Sequence, residues 1–444
     1  MRKTFCRLLF RSALLLFLPA LAAGAESPSL VSIPDRLTLD EALRLFRVRG
    51  FDLLIAEAAV QSAQGDLISA RQIPNPSIQA QGSKAFHYDP TVDGCEGCSS
   101  TGFSVGATDG GALFDVVIGK RRLKIRIATA ALEAARRSRA DAERTLTALV
   151  KQQYAQTVMA KVALDFTHET ASSTAETFQL IDLRFREGAV SEADSARAET
   201  AKLEAEQAVS AAEQTLAAAK ASLAFLLGAR GGPVPDFAVD ESLLKFSVPE
   251  IVATTPSADF YQLGSEHRPD LAAALAQVES ARAALDLARR QRIPDFQAGA
   301  QYAQLGSGQN AIQPPTVTAG LSFALPVFYQ QRGEIVKAEA ALRAQELTRD
   351  KIEAQVVADV GTALSGYAAT RQQVERMEGR LLERARKALD LVDLQYRNGA
   401  ASLLELLDAR RTWIATNAEY RQDLTNYWTA LFSLEQALGM ELHP

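Results

Sequence analysis

Two cysteines three residues apart, in Asp93-Gly94-Cys95-Glu96-Gly97-Cys98, come nearest to a reactive pair in this chain of 444 residues. In an oxidising compartment Cys95 and Cys98 form a local disulfide; with His87, Asp89 or Asp93 they make a metal contact; reduced, they are a free thiol pair. The other candidates are scattered. His87, His168, His267 and His443 lie far apart, and no set of His, Cys, Asp or Glu has the spacing that would name a firm metal site. Neither a nucleophile elbow nor a phosphate loop occurs. No catalytic residue and no cofactor is expected, so the function sought needs no chemical step.

Charge and leader narrow the setting. Arg2, Lys3, Arg7 and Arg11, the apolar run from Ala13 to Leu18 and the small residues Ala23-Gly24-Ala25 have the three parts of a secretory signal over residues 1–25. Removing it takes the formal net charge from −5 to −9, which argues against a nucleic-acid partner because phosphate binding needs a concentrated basic surface. No stretch of about 18 apolar residues follows, so no membrane-spanning helix is expected.

One turn occurs twice. Phe185-Arg186-Glu187-Gly188-Ala189-Val190-Ser191 is matched by Tyr396-Arg397-Asn398-Gly399-Ala400-Ala401-Ser402, and each interrupts a long helical pattern. Ile73-Pro74-Asn75-Pro76 is likewise matched by Ile293-Pro294-Asp295-Phe296, so the chain is internally duplicated. No proline lies between Pro90 and Pro233 or between Pro326 and Pro444, and apolar residues recur there in threes and fours, as in Val209, Ala212, Leu216, Ala219, Leu223 and Leu226. This is a coiled-coil seam, with Arg410 and Asn417 as polar interruptions in its last run. From Lys120 to Arg186 the helix would hold roughly 65 residues and run about 100 Å. Gly188 and Gly399 supply the backbone freedom for reversal, so each unit ends in an antiparallel hairpin. Asp194 and Glu405 fall in the first turns of the returning helices, where negative charge is favourable.

Other segments change period. Phe296, Ala298, Ala300 and Tyr302 alternate with Gln297, Gly299 and Gln301; Val317, Ala319, Leu321 and Phe323 alternate with Thr318, Gly320 and Ser322. Ile78 and Ala80, then Phe103, Val105 and Ala107, alternate more weakly. These are four strands in two hairpins. Four strands do not close a barrel, and an open edge in lipid leaves backbone groups unpaired, so several copies must contribute; three copies give twelve strands. Phe86, Tyr88, Tyr302, Phe323, Phe328 and Tyr329 supply interfacial aromatics. The expected class is an α+β membrane protein. A first repeat at 26–230 holds a short helix, a strand pair within 76–116 and a helical hairpin at 120–230. A connecting segment at 231–256 follows, and a second repeat at 257–444 holds a strand pair within 295–326 and a helical hairpin at 330–440. Gly119-Lys120-Arg121-Arg122-Leu123-Lys124 reads as a solvated helix start or an anchor to anionic lipid.

The run Leu37-Thr38-Leu39-Asp40-Glu41-Ala42-Leu43, the Ile73-Pro74-Asn75-Pro76 and Gly119-Lys120-Arg121 elements and the paired turns resemble the TolC-like outer-membrane efflux family. The resemblance covers about Leu37 to Gly439, and the second and third elements look most like the branch serving exporters of cobalt, zinc, cadmium and copper. It implies a homotrimer with a twelve-stranded barrel in outer-membrane lipid and a helical tunnel in the periplasm. The tunnel docks on a periplasmic adaptor protein and an inner-membrane pump of the RND type, and nothing is catalysed. It implies further that Arg186, Gly188, Ala189, Ser191, Arg397, Gly399, Ala400 and Ser402 form the docking tips. Counting from the turn glycine, Glu405 and Asp408 take the acidic-ring positions of the aperture and Tyr396 the tyrosine of its closing network. Ala401 stands where a basic residue is expected. Multidrug efflux and type I secretion are the nearest rivals; a periplasmic coiled coil that spans nothing would leave the strands and leader without a purpose.

Overall fold

The structure, a computed structural model, describes residues 33–84, 86, 101–230, 232–305 and 315–442. The leader, Cys95 and Cys98, His87, Tyr88 and His443 lie outside the described residues. Strand β1 (Arg36–Leu37) leads into helices α1 (Leu39–Arg49) and α2 (Phe51–Arg71). Thr38 Oγ1 accepts from the Glu41 N–H at 3.3 Å while Glu41 Oε2 accepts from the Thr38 N–H at 3.2 Å, the reciprocal cap that the Thr-x-x-Glu spacing predicts. The single helix expected here breaks at Gly50, whose backbone leaves the helical region (φ −53°, ψ 121°), and the Phe46 ring, 2.5 Å from where a Cβ would stand, leaves room there only for glycine.

Strands β2 (Ser77–Lys84) and β3 (Thr101–Thr108) follow, then α3 (Ala112–Val117), α4 (Lys120–Arg186) and α5 (Glu192–Leu226). The 67 residues of α4 span about 100 Å at ~1.5 Å per residue. After β4 (Ala238–Val239) and α6 (Glu250–Thr254) come α7 (Asp259–His267) and α8 (Pro269–Arg290). The second repeat's short helix is thus also divided: Pro269 has no N–H to continue α7 and starts α8 instead, while Arg268 before it is extended. Strands β5 (Phe296–Leu305) and β6 (Thr316–Phe323) precede α9 (Arg332–Arg376), a π-helical turn over Met377–Leu381, α10 (Leu382–Arg397) and α11 (Leu403–Leu438).

The two strand pairs join into one antiparallel sheet in the order β2-β3-β5-β6. Its register separates two faces. Ile78, Ala80, Phe103, Val105, Ala107, Ala300, Tyr302, Val317, Ala319 and Leu321 share one; Gln79, Gln81, Ser104, Thr108, Gln297, Gln301, Thr318 and Ser322 share the other. On the apolar face Phe296 packs on Phe323 and Phe114 at 4.9 and 5.0 Å near one end, and Phe103 meets Tyr302 at 6.4 Å near the other. Within the chain β2 and β6 are edges. No helix among the described residues is long and apolar enough to cross a membrane.

The helices lie side by side, α2-α4-α8-α9 toward the sheet and α5-α4-α11-α10 away from it. At the waist a core gathers Tyr154, Val158, Leu223, Val360, Tyr427, Trp428 and Leu431. The segment 231–256 is more than a connection: Phe237, Val239 and Leu243 enter that core, and β4 pairs in parallel with β1. Its backbone is claimed by aromatic side chains, since Trp428 Nε1 donates to the Leu243 carbonyl at 2.6 Å and the Tyr427 hydroxyl to that of Ser247 at 2.7 Å. Lys151 and Glu435, both buried, pair at 2.7 Å, and Glu435 also accepts from the Leu442 N–H at 2.9 Å. Charges removed from water persist in this way, each meeting an opposite charge or a hydrogen bond.

Candidate functional site

The far ends of the two hairpins are built alike. Gly188 and Gly399 take left-handed conformations, φ +75° and +73°. They close their helices identically: Ala189 N donates to Arg184 O and Ala400 N to Gln395 O, both at 2.8 Å, satisfying carbonyls that the helix leaves open. Three residues after each glycine a serine starts the returning helix. Ser191 Oγ accepts from Asp194 N at 3.2 Å and Ser402 Oγ from Glu405 N at 3.3 Å. Arg186 and Arg397 are also equivalent, each paired one helical turn back, to Asp182 at 2.6 Å and Asp393 at 2.7 Å. Gly188, Ala189, Ser191, Gly399, Ala400 and Ser402 are exposed with them.

Glu405 has a local role that its spacing from Ser402 announces. Its Oε2 accepts the Ser402 N–H at 2.7 Å and the Ser402 hydroxyl at 2.9 Å. The backbone N–H first, and the hydroxyl after it, hold the Glu405 carboxyl below the ordinary glutamate range. Asp408 lies one turn further along α11 and is exposed, so the helix places both carboxylates on one side. Tyr396 is 8% exposed and packs with Ile181 of α4, Ala198 of α5 and Leu403 and Leu406 of α11. The Arg184 guanidinium lies 5.7 Å from its ring centre. This small core binds the two hairpins at their tips, and Ala401 packs its methyl group against it.

Between tip and waist the contact turns polar. A groove of about 650 Å³ between α4 and the α10–α11 pair is lined by Glu169, Glu176, Asp390, Asp393 and Arg410 among others. Arg410 crosses it to donate to Thr177 Oγ1 at 3.2 Å and to Thr174 Oγ1 and the Ser173 carbonyl at 3.4 Å. Burial lowers its pKa, opposed by the negative charges of Asp393 and Glu176. Arg421 lies 4.4 Å from the Phe166 ring centre and Arg386 5.4 Å from that of Trp413. Beside this zone sits the π-helical turn, where the Tyr420 hydroxyl donates to Glu378 at 2.7 Å. Arg410 was legible only as a polar break in the apolar seam, and the π-helical turn had no sequence signal.

At the other end the basic cluster is partly corrected. Lys120 is buried rather than solvated or lipid-facing: its Nζ donates to Asp295 at 2.5 Å and to the Ile293 carbonyl at 2.7 Å, tying the head of α4 to the start of β5. Lys124 pairs with Asp115 at 2.7 Å and Arg121 donates to the Arg71 carbonyl. His267 Nδ1 lies 3.0 Å from the Leu263 carbonyl. Among the described residues no group of three or more His, Cys, Asp or Glu is placed to hold a metal ion.

The model of the outer membrane efflux protein family matches residues 42–229 and 260–440, one segment for each repeat. The chain belongs to that family. It is an outer-membrane export duct and not an enzyme. It is 22% identical over 429 residues to the cobalt-zinc-cadmium resistance protein CzcC of Cupriavidus metallidurans, covering 95% of each chain. It is 27% identical over 416 residues to the pyoverdine export outer membrane protein OpmQ of Pseudomonas aeruginosa, covering 90% of this chain and 85% of that one. Solved structures share the fold: CusC with a TM-score of 0.74 at 19% identity, covering 91% and 92% of the two chains, and the CmeC outer membrane channel of Campylobacter jejuni with 0.74 at 17%, covering 90% and 85%.

Proposed function

We propose that three copies of this chain close into a twelve-stranded barrel in the outer membrane, continued by a helical tunnel, and that the duct passively carries heavy-metal cations. The cations arrive through a periplasmic adaptor and an inner-membrane RND pump. The observation that carries the assembly is the sheet: two unpaired edges, one apolar face and one polar face. An isolated sheet of this kind is untenable in lipid, whereas repetition about an axis pairs every edge. The helical layer supports the same reading, because α2 and α9 bound it and expose Ile55, Ile68, Val336 and Leu347. At the narrow end, threefold repetition of Glu405 and Asp408 would concentrate negative potential that favours cations, and Tyr396 would hold the second hairpin to the first in the closed mouth.

Heavy metal as cargo rests on the similarity to CzcC and on the acidic tip. Siderophore or drug export is the second reading, favoured by the similarity to OpmQ. Deleting the gene and measuring sensitivity to cobalt, zinc, cadmium and copper, beside secretion of siderophore, separates them. Unchanged metal sensitivity with lost siderophore secretion would overturn the metal assignment and leave the duct standing.

A further inference from the structure

Arg410 stands on α11, in the second hairpin, and its acceptors Thr177 Oγ1, Thr174 Oγ1 and the Ser173 carbonyl all belong to α4, in the first. The bonds, at 3.2, 3.4 and 3.4 Å, are long for a charged donor, and Nη1 makes all of them. Most of the guanidinium's donors are therefore not spent on α4. Two carboxylates in the same groove are near enough for their negative charge to act on Arg410: Asp393 on α10, its own hairpin, and Glu176 on α4. Contact with Glu176 would keep the hairpins joined, whereas contact with Asp393 would not. Asp393 is held at 2.7 Å by Arg397, whose side chain is 71% exposed at the tip. The groove of about 650 Å³ gives the Arg410 side chain space to turn between its partners.

We infer that Arg410 is a two-position tether: on Thr174 and Thr177 it holds the second hairpin against the first, and on Asp393 it lets that hairpin go. The Arg397–Asp393 pair selects the position. An acidic group of the docked adaptor that takes the Arg397 guanidinium frees the Asp393 carboxylate. That carboxylate accepts a guanidinium through two parallel bonds and is a stronger partner for Arg410 than hydroxyl and carbonyl oxygens. Contact at the tip thus reaches the junction of the hairpins through three side chains, and the adaptor favours the released state because only there is Asp393 satisfied by Arg410. The inference rests on the duct reading, in which the hairpin ends form the mouth.

Single-channel recording of purified trimers in planar bilayers, without adaptor, tests it. Arg410→Ala, and separately Thr174→Val with Thr177→Val, should each raise the ratio of open to closed time at least about ten-fold over the wild type, the scale of losing one or two hydrogen bonds. Arg397→Ala should raise the ratio too, because Asp393 is then free, and adding Asp393→Asn should cancel that gain. A mere weakening of the tip would instead make the two changes add. A ratio unmoved by Arg410→Ala or by the threonine pair overturns the tether, and a gain in Arg397→Ala that survives Asp393→Asn overturns the role of Asp393; in both cases conductance still supports the duct. Absence of conductance in the wild type and in every variant fails the duct reading itself. If Arg410→Ala does not assemble, the threonine pair, which keeps side-chain volume, carries the same test.

Discussion

Glu405 shows how one side chain serves local structure and, in the proposed assembly, the mouth of a duct. Its carboxylate closes the first turn of α11 against Ser402, which lowers its pKa below the ordinary 4.5. A depressed folded-state pKa means that the stabilisation is complete above the unfolded value and is lost as pH falls through the folded one. Protection factors of the Ser402–Leu406 amides, that is, exchange rates normalised to the intrinsic rate at each pH, should therefore be high at neutral pH and fall below about pH 4.5, the ordinary value. Glu405→Gln should remove that dependence, and an unchanged pH profile in the variant would dissociate the carboxylate from the cap. The glycines offer a second test. Nothing lies within 4 Å of a Cβ at Gly188 or Gly399, so a side chain there meets only backbone strain from positive φ. Replacing both with Val costs about 1–2 kcal/mol at each turn; trimers should form normally while adaptor docking and export are lost. Full metal or drug resistance in cells carrying both changes would take the turns out of the mechanism.

At the scale of elements, the junction between sheet and tunnel depends on Lys120. The ammonium is buried, whereas the side chain of its partner Asp295 is 71% exposed, so the two partners are not equivalent. Asp295→Asn leaves the charge buried with a weaker acceptor and is expected to cost roughly 1–3 kcal/mol. Lys120→Met exchanges it for apolar volume and should cost less, since removing a buried charge also removes its desolvation penalty. Thermal unfolding in detergent, followed by loss of the oligomer on unheated gels, ranks the two; the opposite order would show that packing of the lysine stem dominates. The long helices and tip turns were legible because repeated spacing and left-handed glycine are local signals. The break at Pro269 was legible, since a proline has no N–H to continue a helix, whereas the need for glycine at position 50 was not, because it follows from the packing of the Phe46 ring against its backbone. Lys120 was misread because the cluster gives its charge and not the position of Asp295, 175 residues away.

For the whole molecule the sheet is decisive, since its two faces predict opposite outcomes for neighbouring positions. Ala300→Arg places a charge on the apolar face and should destabilise the inserted protein by about 2–4 kcal/mol per chain near the bilayer centre. Gln301→Arg, one residue on, should insert normally. Folding yield into lipid vesicles, read from resistance to heat and protease, distinguishes them; equal yields would contradict the assignment of faces. The helical layer adds an assembly test. Ile55→Asp together with Ile68→Asp on α2 should keep helical content and reduce the trimer association constant by at least about ten-fold, equivalent to ~1.4 kcal/mol. An undiminished trimer would place the subunit contact on another face of the layer.

Residue order alone determined the duplication, the hairpins, the alternation of the strands and the absence of catalytic groupings, because each is a matter of period or spacing along the chain. Tertiary structure decided what lies across it. It joined two separate strand pairs into one sheet through β3 and β5, drew 231–256 into the waist core and buried Lys120 against Asp295. It also turned Arg410 from a break in a pattern into a link between hairpins. These are pairings over large sequence separations, where side-chain type names what a residue can bind and only packing selects the partner that satisfies it.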